Sequence, residues 1–167
     1  MPVSAAQVKE LRDKTGAGIM DSKRALEEAD GDLAKAEALL NEKGLASAAK
    51  KAGRETSEGL VVSYIHTGGR VGSLVELNCE TDFVARTDDF EALGRNLAMQ
   101  IAAMNPLYVD RESVPEDVEG VKDEELLVNQ EYIRDSSIQI GEVVKETIGK
   151  LGENIRIRRF SRFELGG

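Results

Sequence analysis

Cysteine and histidine each occur once in the 167 residues, tryptophan is absent, and the aromatic side chains number seven. The lone Cys79 cannot close an intrachain disulfide, which points to a reducing, cytoplasmic setting. With Cys79 and His66 as the only soft ligands, no zinc-type spacing exists, and neither a metal site nor a cofactor is expected. Long apolar runs are missing as well. The longest stretch without a charge, Asn96–Val109, has 14 residues and includes Asn and Gln, short of the roughly 18 that a membrane span needs. The opening Met1-Pro2-Val3-Ser4-Ala5-Ala6-Gln7 offers neither a basic nor an apolar leader region, so no secretory signal is expected there. A phosphate-cradling loop is also absent, because Thr15-Gly16-Ala17-Gly18 is not followed by Lys-Ser/Thr.

Charge is plentiful but uneven. The net charge is −9. Residues 1–54 carry 10 basic and 9 acidic side chains, whereas residues 55–167 carry 12 and 22. Binding a phosphate backbone needs clustered Lys and Arg that release counterions, and an acidic body opposes it. A direct nucleic-acid partner is therefore not expected, and a protein partner with a basic face is. Arg156, Arg158, Arg159 and Arg162 do cluster; they read either as a solvated strand face or as an anion site.

Residues 1–54 read as a three-helix head. Ser4 and Gln7 form a capping box. Val8 and Leu11 follow at helical spacing, and Gly16 and Gly18 end the first helix. A second helix is expected from about Ile19 to Ala29, with Ile19 and Leu26 on one side. Asp30-Gly31 makes a turn, and Asp32 caps a third helix whose buried stripe is Leu33, Ala36, Leu39 and Leu40. Gly44 is expected to close it, leaving 45–53 as a helical linker. So small a bundle buries little area, which suits a binding module.

Beyond Glu58 the period changes to two. Leu60, Val62, Tyr64 and His66 alternate against Val61, Ser63 and Ile65, then Thr67-Gly68-Gly69 turns the chain. A second strand presents Val71, Ser73, Val75, Leu77 and Cys79 on its covered face. Asp88 with Glu91 is expected to cap a helix with the stripe Phe90, Leu93, Leu97, Ile101 and Met104, ending at Asn105-Pro106. The segment 110–125 holds 8 acidic and 2 basic residues and reads as a surface loop leading into a helix. Ile140, Val144, Ile148 and Leu151 mark a last helix stopped by Gly152, and a strand over Asn154–Leu165 closes the chain. The class is α+β: a head of residues 1–54 and a core of residues 55–167, in which a three-stranded antiparallel sheet packs with helices.

Enzymatic chemistry has little support. Cys79 and His66 could form a nucleophile and base, or Cys79 a small core residue and His66 a solvated strand end. Cys79-Glu80-Thr81-Asp82-Phe83-Val84-Ala85-Arg86 is less ordinary, since a short polar connection would suffice where Phe83 stands. Phe83 either folds back into the core or projects as an apolar wedge beside Asp82.

Two blocks carry a resemblance. Lys9-Glu-Leu-Arg-Asp-Lys-Thr-Gly-Ala-Gly-Ile-Met-Asp-Ser-Lys-Arg-Ala-Leu26 and Asn78-Cys-Glu-Thr-Asp-Phe-Val84, with Gly152-Glu-Asn-Ile-Arg-Ile-Arg-Arg-Phe160, resemble bacterial elongation factor Ts over nearly the whole chain. Ile19 and Ser22 stand where Met and Cys are frequent in that family, and the chain is similar to its short forms, with one copy of the core subdomain. The resemblance implies a non-enzymatic guanine nucleotide exchange factor for elongation factor Tu, met both GDP-bound and nucleotide-free. It implies that Thr81, Asp82, Phe83 and Val84 dislodge the GTPase's Mg2+, and that Val8, Lys9, Ile19 and Met20 dock a head similar to ubiquitin-associated domains. A single core copy implies a homodimer and a 2:2 complex. The rivals are a general protein-binding adaptor, which leaves Thr81–Val84 unexplained, and a thiol enzyme.

Overall fold

A computed structural model describes residues 3–167; Met1 and Pro2, part of the leader reading above, lie outside the described residues. The head is built from α1 (Ala5–Thr15), α2 (Ile19–Glu28) and the first half of α3 (Leu33–Lys51). Ser4 caps α1 through the expected reciprocal box with Gln7, and Gly16 ends it in the left-handed conformation at φ 66°. Asp30 (φ 53°) and Gly31 (φ 83°) turn the chain into the Asp32 cap of α3. Leu11, Ala25, Leu26, Ala29 and Ala36 form a small core of their own, edged by Val8, Leu33, Leu39 and Leu40.

Gly44 does not end α3. The helix runs through it to Lys51, and Ala48 on its far half joins the main core. The reason is tertiary: Gly44 lies against Gly149 of α6 (Ile140–Leu151), whose missing side chain lets the two helices approach, since a Cβ there would stand 2.7 Å from Gly44 Cα. The expected linker is thus a helix shared by head and core.

The core sheet has the order β1-β2-β5, all antiparallel, from β1 (Glu58–Ile65), β2 (Val71–Cys79) and β5 (Ile155–Glu164). The expected inner face holds: Val75, Leu77 and Cys79 are fully buried, with Leu60, Val62 and Tyr64 packed beside them. Against it lies α5 (Asp88–Met104), packed tightly at Gly94, where a Cβ would stand 2.7 Å from a Val62 methyl. Phe90, Leu97 and Ile101 are sealed in this layer; burying each contributes about 1.5–3 kcal/mol. Thr87, not Asp88, is the N-cap of α5, its hydroxyl accepting from the Phe90 amide, and Asp88 opens the first turn. Met104 falls off the stripe and is half exposed, because the helix ends there as Asn105 turns left-handed at φ 48°.

No α-helix directly follows the acidic segment. Three single 3-10 turns lead instead to a hairpin of β3 (Glu131–Tyr132) and β4 (Asp135–Gln139). A buried amide holds it down: Gln100 on α5 donates to Gln130 Oε1 at 3.3 Å and to the Glu131 carbonyl at 3.0 Å, and accepts from the Ile133 amide at 2.9 Å. No local pattern in 126–139 announces that tie.

Three of the four clustered arginines of β5 are paired within the fold, and Arg156 alone has no partner among the described residues. A bulge sets Arg158 and Arg159 together opposite Glu76, at 3.5 and 3.2 Å, while Arg162 donates to the Ala102 carbonyl and pairs with Glu164. With only Arg156 unpaired, the clustered cations that an anion site needs are not left free there. Between head and core runs a groove of about 860 Å³, where Glu146 of α6 has its pKa raised by burial, then by Glu142, Asp135 and Glu37. A raised native pKa means the folded state binds more protons, so stability falls as pH climbs from the ordinary glutamate value through the native one. Glu146→Gln is expected to raise the melting temperature at pH 7, by a small margin because the side chain meets solvent. The gain should vanish near pH 4; a shift that ignores pH in thermal melts would contradict this.

Candidate functional site

The segment after β2 is a tightly pinned turn. Cys79 Sγ donates to the Thr81 carbonyl at 3.1 Å. Thr81 caps the four-residue helix α4 (Asp82–Ala85) by accepting from the Val84 amide at 3.4 Å. Glu153, after α6, takes both the Thr81 amide and its hydroxyl, at 3.0 and 2.7 Å. Glu80 Oε1 accepts from the Asn154 amide at 2.7 Å, so two carboxylates lace this turn to the loop before β5. On the other side, Thr87 donates to the Val84 carbonyl at 2.7 Å.

Pinned this way, α4 can bury only one side. Ala85 is buried and Val84 packs on the core. Phe83 therefore points out, 78% exposed, the most exposed large apolar side chain among the described residues. The fold-back alternative is thereby excluded. Asp82 sits beside it on the surface, paired with Arg86 at 3.0 Å. Of the four expected residues, Phe83 and Asp82 face solvent, while Thr81 and Val84 hold the turn's shape. Sequence reading missed Glu153 and Arg86. Arg86 stands at i+4 from Asp82 and was legible in principle; Glu153 is 72 positions from Thr81 and had no local signal.

The head presents a second apolar surface. Val8, Lys9 and Ile19 line one shallow depression of about 390 Å³ with Val3, Ala5, Arg12 and Lys23. Met20 adjoins Ile19 in sequence without lining the depression. Ile19 and Met20 are 58% and 59% exposed. Ile19 and Leu26 do not share the buried side as the helical spacing suggested: Ile19 opens α2 at its exposed end, whereas Leu26 is sealed. The flanking Lys9, Arg12 and Lys23 make this rim cationic, unlike the acidic core.

Cys79 and His66 are not brought together. In the β1–β2 register Cys79 pairs with Glu58, at the far end from the turn that follows His66, about 26 Å along the strands. His66 Nδ1 bonds the Tyr64 hydroxyl at 2.9 Å instead. Burial first, then Glu153 and Glu58, push the Cys79 thiol up to about 11. The thiolate that would act as a nucleophile is thus scarce. In native protein at pH 8, Cys79 is expected to react with a thiol reagent at least about a hundredfold more slowly than in denaturant, the scale of a pKa rise of two or so; equal rates would contradict its burial. Among the described residues, no group of three or more His, Cys, Asp or Glu side chains could hold a metal ion, and no helix is long and apolar enough to cross a membrane.

The exposed Phe83 tip of the pinned turn and the apolar patch on the head are surfaces suited to contact with another protein. Comparison with known sequences identifies the family. A family model described as Elongation factor TS matches residues 6–124. Elongation factor Ts of Leptospira biflexa is 49% identical over 197 aligned positions, covering 100% of both chains. That of Thermoanaerobacter pseudethanolicus is 52% identical over 98% of this chain and 95% of its own; that of Fervidobacterium nodosum is 48% identical over 99% and 100%. The chain belongs to the elongation factor Ts family, whose members are translation elongation factors. Alignment over 197 positions against 167 residues means that the Leptospira relative carries segments this chain lacks.

Proposed function

We propose that this chain is a guanine nucleotide exchange factor for elongation factor Tu, and that it performs no covalent chemistry. The observation that carries the reading is Phe83, a large apolar side chain held 78% exposed on a turn clamped from both ends. A GTPase that binds GDP at nanomolar affinity holds it with about 12 kcal/mol. A protein releases such a ligand by binding better to a conformation whose nucleotide site is distorted, and linkage makes the antagonism reciprocal.

In this mechanism Val8, Lys9, Ile19 and Met20 dock the head on the GTPase domain. Thr81 and Val84 then present Phe83 for insertion between helices of the partner. Pre-organisation matters: the turn is already ordered, so little conformational entropy is lost on insertion. Asp82 enters beside it as a carboxylate that disturbs the shell of the bound Mg2+. Loss of the cation weakens GDP binding, and the nucleotide-free complex is open to GTP. The measurement that tests this is release of labelled GDP from Tu at stoichiometric amounts of the chain. Acceleration of at least about a hundredfold, a release barrier lower by roughly 2.7 kcal/mol, is the expected result; release at the spontaneous rate would refute it.

The chain also acts as a homodimer in this reading, in the cytoplasm and without direct nucleic-acid contact, giving a 2:2 complex. What supports the dimer is the outer face of the core sheet. Ile65 and Phe163 flank Gly72 across neighbouring strands and are 66% and 71% exposed, with Val61 and Leu74 alongside. An open apolar sheet face matches a second copy of itself about a two-fold axis. Light scattering at micromolar concentration should give twice 18.2 kDa, and Phe163→Lys should return the monomer mass; a wild-type chain that scatters as a monomer would remove the dimer.

A further inference from the structure

The head meets the core at a place where both contributing helices carry glycine. A Cβ on Gly149 would stand 2.7 Å from Gly44 Cα and 3.3 Å from its carbonyl carbon and oxygen. A Cβ on Gly44, in contrast, would meet Gly149 Cα at 3.8 Å, an ordinary contact. Neither glycine has a positive φ, so backbone conformation does not call for them. Glycine inside a helix weakens it, and what offsets that loss here is close approach of α3 and α6.

The next residue extends the joint. The Lys150 stem occupies the space where a Gly16 side chain would be, at the left-handed end of α1. Its ammonium reaches on to Asp89 at 3.0 Å, in the first turn of α5. That turn begins at Thr87, the residue that holds the Val84 carbonyl beneath Phe83. One side chain on α6 therefore joins the end of the head's first helix to the base of the Phe83 turn.

We propose that the Gly44–Gly149 crossing and the Lys150 bridge are a rigid spacer, with Gly149 and Lys150 as positioning residues that hold the head patch and Phe83 in fixed relation. The proposal rests on the exchange reading above. Two patches held rigidly at the right span engage one partner as a single body, so the second contact forms at high effective concentration. Loosening the joint lowers that concentration while leaving each patch intact.

The test is a titration of stimulated GDP release from Tu with the full-length chain, reading the half-saturating concentration and the maximal rate separately. Gly149→Ala forces a methyl into the Gly44 backbone and is expected to raise the half-saturating concentration roughly 10–100-fold, with the maximal rate within about twofold. Gly44→Ala, whose methyl makes only an ordinary contact, should titrate as wild type. Lys150→Ala, which removes a partly exposed ion pair, should move the same parameter by a few fold, and Lys150→Arg should restore it. Coupling is the readout a merely structural role would not move: Ile19→Ala should cost less in the Gly149→Ala background than in wild type, because the head has already lost its alignment. Wild-type titration by both Gly149→Ala and Lys150→Ala, or independent multiplication of the Ile19 and Gly149 effects, overturns the spacer. If Gly149→Ala unfolds the chain, Lys150→Ala and its Ile19→Ala double variant decide the matter. Failure of the wild-type chain to accelerate release removes the exchange reading itself, a different outcome from failure of the spacer.

Discussion

Phe83→Ala is expected to cut stimulated GDP release by roughly 10–100-fold, the loss that a buried interface anchor of about 1.4–2.7 kcal/mol causes. The melting temperature should hardly move. At 78% exposure Phe83 contributes almost nothing to the free fold, whereas a sealed Phe truncated to alanine would lose about 3–5 kcal/mol. The two assays thus report on different states of the molecule, and only the complex should register the change. Asp82→Ala should act in the same direction more weakly. Its loss removes an exposed pair with Arg86, worth about 0.3–0.5 kcal/mol at helical spacing. When a chelator has already stripped Mg2+ from Tu, the Asp82 effect should disappear and the Phe83 effect should persist. A sharp fall in melting temperature for Phe83→Ala, or exchange at the wild-type rate, would end the wedge mechanism.

Ile19→Ala with Met20→Ala is expected to weaken the complex with Tu by roughly 10–100-fold in calorimetry. Both side chains are more than half exposed, and the head core of Leu11, Ala25, Leu26 and Ala36 lies behind them. The fold should therefore survive unchanged in circular dichroism. Point substitution is the cleaner route to the head's contribution than removing residues 1–54. Such a cut takes Ala48 out of the main core and the carbonyls of Ala52 and Arg54 away from Asn154. Unchanged affinity in the double variant would show that the head patch does not touch the partner.

Much of the fold was legible because its causes are local. The Ser4–Gln7 box, the left-handed Gly16 and Gly152, the Asp32 cap and the inward row Val75, Leu77 and Cys79 each follow from a few neighbouring residues. The misplaced features share a different origin. Glycine commonly ends a helix, which is what local pattern expects of Gly44, but its place inside α3 depends on Gly149, more than a hundred residues away. The β3–β4 hairpin followed from Gln100, a single buried amide on α5 that no pattern in 131–139 reveals.

By itself, then, the sequence determined the α+β class, the N-terminal helices and the three-stranded sheet, since helical and strand periods, caps and turn residues act over a few positions. Only the tertiary structure decided which way Phe83 faces. That direction depends on Glu153 gripping Thr81, Thr87 holding Val84, and Val84 and Ala85 already filling the inward side. It likewise decided that the head is fused to the core through α3 and α6, and that Cys79 and His66 stand at opposite ends of a hairpin. Contacts between distant residues arise from how whole elements pack, and side-chain periodicity carries no record of a partner seventy or a hundred positions away.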